Sequence, residues 1–229
     1  MSQTQIYLQD TYRGEITTRI LSAGKEGSRP WIALADNIFH PQGGGQPSDR
    51  GWIGTIPVVA QRLPAIADLV LVTAADDATA AALAHLTEGT TVTATIDLPQ
   101  RLANAALHTA GHLINATAGR RGLIYAGCNH FPGQARVEFQ PAGPVDSAAI
   151  QRDIESAIRD LIADDRPVHA SSSDGGPRTV VIDGLCEDAC AGTHVARLGL
   201  LSDFQIRSVK VKGDRVRVGY DVAHAGPVA

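Results

Sequence analysis

The rhythm of hydrophobic and polar positions changes once along this chain, near residue 97. Before that point apolar residues come in short runs or alternate with polar ones. Residues 5–12 and 15–21 are β-rich, and Gly14 is placed to turn between them. Residues 31–35 form a short apolar run, and 52–60 and 68–73 read as further strands. Val92, Ala94 and Ile96 alternate with threonines over 90–96, the period of a half-buried strand. Residues 76–86 are alanine-rich and predict a short helix or a turn. Between 41 and 51, three consecutive glycines and two prolines leave room only for a loop.

From Asp97 the period becomes helical. Asp97 can cap, Pro99 is tolerated in a first turn, and Gln100 stands where a capping-box partner would. Leu102, Ala105, Ala106, Leu113 and Ile114 then mark one apolar face, and Gly119 stops the helix. Asp146-Ser147 opens a second helix through Ile150, Ile154, Ala157, Ile158 and Leu161, ending before Pro167. Residues 171–177 read as a loop and 178–182 as a short strand. Residues 204–220 predict a hairpin turning at Gly213-Asp214 in a type II′ turn. That register sets Val211 opposite Val216 and Val209 opposite Val218, with Lys210 opposite Arg217 and Lys212 opposite Arg215 on the other face. The chain therefore divides near 94–98 into an all-β front, residues 1–95, and an α+β back, residues 96–229.

Composition narrows the functional classes. The 229 residues carry a net charge of −4, so a nucleic-acid partner must be held by a local basic patch rather than a broad basic footprint. No apolar run nears the roughly 20 residues that cross a bilayer. The polar start, Ser2-Gln3-Thr4-Gln5, shows no secretory signal, and three cysteines argue for a reducing compartment, so a cytoplasmic location is expected.

Two short motifs carry candidate chemistry. His108 and His112 are four apart on the predicted helix, so both imidazoles can face one ion. Cys190 and His194 repeat the spacing as C-x-x-x-H. Three nitrogens and a thiolate suit zinc. Thr109 stands where the metalloprotease motif H-E-x-x-H has its glutamate, which removes the general base from that reading. Cys186, Cys128 and His130 are competing donors of lower rank, because none belongs to a matching pair.

These motifs together resemble the editing domain of alanyl-tRNA synthetase. The resemblance rests on His108-Thr109-Ala110-x-His112-Leu113, on Cys190-x-Gly192-Thr193-His194, and on Gly43-Gly44-Gly45-Gln46-Pro47-Ser48-Asp49 followed by Gly51. Asp97 and Arg101 match the family's Asp-x-x-x-Arg lead-in, and all four features occur in family order. With no aminoacylation core in front, the chain looks like an AlaX-type editing protein. Ala105-Ala106-Leu107, Ala191 and Gln42 depart from the usual pattern.

The resemblance implies an α+β fold: an N-terminal β-barrel-like domain, then a two-layer α/β editing domain with an antiparallel sheet. It implies Zn2+ on His108, His112, Cys190 and His194, and hydrolysis of tRNA(Ala) mischarged with serine or glycine by an expected monomer. Thr109 becomes the candidate reader of serine's hydroxyl, and Gly45 and Gln46 the part of the loop that approaches the aminoacyl end. Arg101, Arg120, Arg121, Lys210, Lys212, Arg215 and Arg217 become candidate tRNA contacts, with Arg101 equally placed to pair with Asp97. Three alternatives stay open. Gly44-Gly45-Gln46 shares its letters with peptide-release factors, the four ligands suit a stapled tRNA-binding module, and threonyl-type editing uses a related constellation.

Overall fold

A computed structural model describes residues 2–66, 68–172 and 177–226. The chain forms two compact units. The first comprises Met1–Gly43 and Pro47–Arg101, the second Gly44–Gln46 and Leu102–Ala229.

The first unit contains β1 (Thr4–Gln5), β2 (Glu15–Glu26), β3 (Arg29–Leu34), β4 (Asp36–Asn37), β5 (Arg50–Ile53), β6 (Ile56–Gln61), β7 (Leu71–Ala74), α1 (Asp77–Ala84) and β8 (Thr91–Ile96). Six strands close into a barrel in the order β2-β3-β7-β6-β5-β8, and every neighbouring pair is antiparallel. Closure leaves these strands no open edge. Ile20, Ile32, Leu34, Ile53, Val58, Val72, Ala94 and Ile96 belong to one buried cluster. The β-barrel expectation holds, with two local corrections. Residues 5–12 are not a strand: after β1 the chain turns through a 3-10 helix at Ile6–Leu8, which buries Tyr7. Residues 52–60 are not one strand either. Gly54 takes a left-handed φ of +57°, and the run folds back as the β5–β6 hairpin with Ile53 opposite Ile56.

The second unit takes in most of α2 (Leu98–Gly119), then β9 (Leu123–Asn129), β10 (Arg136–Pro141), α3 (Ser147–Ala163), β11 (Val168–Ser172), β12 (Arg178–Ile182), β13 (Cys186–Ala189), β14 (Leu201–Lys212) and β15 (Arg215–His224). Two antiparallel sheets run β14-β15-β10-β9 and β11-β12-β13. Both long helices begin as their caps predict. Asp97 accepts from the Gln100 N–H at 3.1 Å, and Asp146 accepts from the Ala148 and Ala149 N–H groups at 2.9 and 3.1 Å. α3 buries Ile154, Ile158 and Leu161 and packs against β14. The β14–β15 register is the predicted one at all four pairs, and Gly213 supplies the positive φ of +61° that a type II′ turn needs at its first central residue. Part of the expected 171–177 loop is strand, since β11 runs to Ser172, while residues 173–176 lie outside the described residues. Among the described residues, no helix is long and apolar enough to cross a membrane.

Arg101 does not reach a surface. Its side chain is fully buried in the first unit, with Nε donating to both Asp49 oxygens at 3.0 and 2.9 Å and Nη2 to Asp49 and the Ile38 carbonyl. Nη1 donates to the Thr11 carbonyl at 3.2 Å. Asp49 also accepts from the His40 N–H at 2.6 Å, and the His40 carbonyl accepts from the Asp49 N–H at 2.9 Å. Arg101 thus ties the two stems of the glycine loop to the start of α2. Its proposed role as a tRNA contact is corrected, and its ion-pair partner is Asp49 rather than Asp97. A buried carboxylate left unpaired is costly, so Arg101→Met is expected to lose about 3–5 kcal/mol of stability, read as a lower midpoint in urea unfolding.

Candidate active site

His108 and His112 sit one turn apart on α2, and Cys190 and His194 lie in the segment just after β13. One donor atom from each lies within 4.8 Å of all the others, a group that can hold a metal ion. The two motifs identified by spacing alone are therefore brought together. His108 and His194 are buried, whereas His112 and Cys190 are half-buried.

Each imidazole is gripped from behind at Nδ1. Gln46 Oε1 lies 2.8 Å from His108 Nδ1, Asp188 Oδ2 lies 2.7 Å from His112 Nδ1, and Thr109 Oγ1 lies 3.2 Å from His194 Nδ1. A carboxylate and an amide oxygen can only accept, so His108 and His112 donate through Nδ1–H. The Thr109 hydroxyl spends its proton on the Ala105 carbonyl at 2.8 Å, so it too accepts from its histidine. All three rings then offer an ion Nε2 rather than Nδ1, the arrangement in which outer partners fix the orientation of metal-binding histidines. Nε2 of His108 and of His194 stand 3.5 and 3.3 Å from the Cys190 sulfur.

Electrostatics at the half-buried edge follow from the same pairing. Burial opposes a charge on His112, but its hydrogen bond to Asp188 and the adjacent Cys190 outweigh burial and raise the group to about 9. That hydrogen bond also holds the Asp188 carboxyl below its ordinary range.

The geometry revises two roles read from sequence. Thr109 is fully buried, and its hydroxyl also accepts from the Val195 N–H at 3.2 Å. With one proton given and two bonds accepted, it has nothing left for a substrate hydroxyl, so it positions His194 instead. Gln46 is likewise saturated: Oε1 meets His108 and the Thr193 N–H at 3.0 Å, and Nε2 donates to Thr193 Oγ1 at 2.8 Å. It positions His108 and does not face a ligand. Gly45 holds a left-handed φ of +80°, and its carbonyl accepts from the His130 N–H at 2.8 Å. Gly192 is required by space, because a Cβ there would stand 2.1 Å from His108 Cε1.

A cavity of about 320 Å³ opens beside the ligands. His108, His112 and Cys190 line it, as do Asn115, Tyr125, Cys128 and His130. Of the competing donors, Cys128 and His130 border the cavity without joining the four-donor group. Cys186 is also outside that group; burial first, then Asp188, pushes its thiol up to about 12. Asp188 and the cavity role of His130 were missed from sequence. No spacing rule pairs Asp188 with a histidine 76 positions away.

Lys210, Lys212, Arg215 and Arg217 are all exposed on β14 and β15. Arg217 pairs with Glu138 at 3.0 Å, Arg121 with Asp153, and Arg120 reaches the Gly184 carbonyl at 3.4 Å.

Within the α+β unit, a preorganised three-histidine, one-cysteine group that can hold a metal ion lies beside a ligand-sized cavity. No family model matches the chain. Among curated proteins, it is 30% identical over 238 residues to the alanyl-tRNA editing protein Aarsd1 of Bos taurus, covering 90% of this chain and 50% of that protein. It is 27% identical to the alanyl-tRNA editing protein AlaX-L of Pyrococcus horikoshii, covering 83% of this chain and 50% of that one. To the alanine–tRNA ligase of Desulfosudis oleivorans it is 31% identical, over 62% of this chain and 18% of the ligase. Over 83–90% of its length the chain is similar to proteins named alanyl-tRNA editing proteins, the likeness that its motifs indicated. It spans about half the length of the editing proteins it matches.

Removing a histidine's outer partner should loosen the metal while leaving the ligands. Asp188→Ala and Thr109→Val are each expected to weaken metal affinity about 10–100-fold, measured by competition with a chromogenic chelator. Unchanged affinity in both would show that Nδ1 anchoring does not govern this site.

Proposed function

We propose that this chain hydrolyses the ester of tRNA(Ala) mischarged with serine or glycine, with zinc held by His108, His112, Cys190 and His194. The observation that carries the reading is the cavity that opens directly on three of those four ligands. Its volume falls in the range of small-molecule sites, about 300–1,000 Å³. Three neutral imidazoles and one thiolate are a zinc donor set, and the names of the relatives supply the substrate class.

Hydrolysis joins a water oxygen to the ester carbonyl carbon and breaks the bond to the ribose oxygen. One water proton passes to that oxygen, freeing the amino acid and a tRNA 3′ end. Zinc, when bound, supplies a Lewis acid for the carbonyl or the water. Gln46, Asp188 and Thr109 keep the three imidazoles aimed, and buried His108 and His194 exclude bulk water behind them. Half-buried His112 and Cys190 form the side of the site that an ester can approach.

Four protein ligands favour a second reading, in which the ion staples the unit and the cavity only binds. Deacylation of seryl-, glycyl- and alanyl-tRNA(Ala) with and without a zinc chelator separates the two. Release of serine fastest, alanine spared and loss of activity in a still-folded, chelated protein are expected. Unfolding on chelation would favour the staple, and no release of any amino acid would end the hydrolase reading.

The acceptor stem is assigned to Lys210, Lys212, Arg215 and Arg217, with Arg120 and Arg121 as secondary contacts. Cations directly opposite one another on neighbouring strands repel. Lys210 faces Arg217 and Lys212 faces Arg215; Arg217 has Glu138 beside it at 3.0 Å, and Arg215 stands 4.0 Å from Asp214. A phosphate backbone relieves such a ladder. The double reversal Lys212→Glu, Arg215→Glu is expected to weaken tRNA binding at least tenfold at low salt and to flatten its salt dependence. Unchanged binding would remove this face from the interface.

A further inference from the structure

The saturation of Thr109 leaves a question of selectivity. Whatever distinguishes a seryl from an alanyl ester must offer hydrogen-bonding capacity that the protein has not already used. His130 offers it. The ring is buried and borders the cavity, stacked on His108 with centroids 4.6 Å apart, yet it stands outside the four-donor group.

Its tautomer is set by a chain of two hydrogen bonds. His130 Nδ1 lies 2.6 Å from Tyr220 Oη, and Tyr220 Oη lies 2.9 Å from the Leu107 carbonyl. The phenol has one proton, and burial keeps it on the oxygen. If that proton pointed at His130, the phenol and carbonyl oxygens would face each other without one. Both contacts are hydrogen bonds only when Tyr220 donates to Leu107 and His130 Nδ1–H donates to Tyr220. Nε2 is then a bare acceptor. Among the described residues it has no hydrogen bond to protein. Gly111 lets the ring lie close against α2, since a Cβ there would stand 2.3 Å from His130 Cε1.

Resting on the proposed editing activity, we infer that His130 Nε2 is the specificity group that accepts the hydroxyl proton of the esterified serine. The other polar groups at the cavity are less selective. Tyr125 is half-exposed at 51%, Asn115 can present either end of its amide, Cys128 turns its thiol to the Gly44 carbonyl, and Asp188 is engaged by His112. His130 presents one polarity from a fixed, buried ring. A serine hydroxyl satisfies it, whereas an alanine methyl strips water from the acceptor and returns nothing. Sites built this way reject the analogue lacking the hydroxyl far better than an apolar pocket rejects an added one. Glycine has no side chain to cover Nε2, so a water molecule can remain there.

The test is the ratio of kcat/KM for seryl- against glycyl-tRNA(Ala) in the full chain, for wild type, His130→Phe and Tyr220→Phe, with zinc content measured on each sample. The ratio is expected to fall about tenfold or more in His130→Phe, the scale of one lost hydrogen bond. It should fall in the same direction in Tyr220→Phe, which keeps the imidazole but frees its tautomer. Should His130→Phe not fold, Tyr220→Phe decides alone. An unchanged ratio, or an equal fall for both esters, overturns the assignment, the latter because it places His130 on a part common to both substrates. If the wild type hydrolyses neither ester, the editing reading itself fails, a different result from either.

Discussion

Everything at this site depends on three imidazoles presenting the same face. A histidine offers a metal one lone pair only when its other nitrogen carries the proton, and in water the two tautomers exchange freely. Here Gln46, Asp188 and Thr109 each sit behind one ring and remove that freedom. The three anchors come from far apart: Gln46 from the glycine loop, Asp188 from β13, Thr109 from the helix that also carries two ligands. The metal group is therefore not two local motifs placed side by side. It is a consequence of how four segments converge, and its geometry is only as good as the hydrogen bonds behind it.

Seen from this constraint, the rest of the second unit divides into parts that hold and parts that leave space. Gly192 lets its segment pass within contact of His108, and Gly111 does the same for His130. Tyr220, fully buried on β15, connects the strand to α2 through the Leu107 carbonyl and holds His130 in the same step. The cavity itself is lined by the ligands His108, His112 and Cys190 and by Asn115, Tyr125, Cys128 and His130, while the saturated Thr109, Gln46 and Tyr220 stand behind that lining. In the first unit, Arg101 plays the equivalent organising part. It is buried without solvent access, and its charge is met by Asp49 and by carbonyls from two other segments.

The elements that were legible in the sequence share a physical property: their signals are local. α2 and α3 were visible because a capping aspartate and a 3.6-residue apolar period are properties of neighbouring residues. The β14–β15 register was visible because a two-residue turn fixes which residues face each other. By contrast, β9, β10, β11 and β13 were missed. β9 carries exposed Ile124 and Tyr125, and β13 is Cys-Glu-Asp-Ala, so neither shows the alternation of a half-buried strand. β9 and β13 are strands because β10 and β12 pair with them, and β10 is itself held by β15. The single expected strand at 52–60 failed for the opposite reason, since one glycine among β-formers was enough to reverse the chain.

The sequence by itself singled out the four side chains that can together hold a metal ion, because residue type and a four-residue spacing decide what one helical turn can present. It also carried the family resemblance and the fold class, a β-barrel-like part together with an α+β part. Only the tertiary structure decided roles. Thr109 and Gln46 looked like substrate-facing groups and are saturated by protein, Arg101 looked like a surface cation and is buried, and His130 ranked as a minor donor and borders the cavity. The physical reason is that a hydroxyl, an amide or a guanidinium has a fixed number of hydrogen bonds to give. How many are already spent depends on partners dozens of residues away, brought there by folding alone.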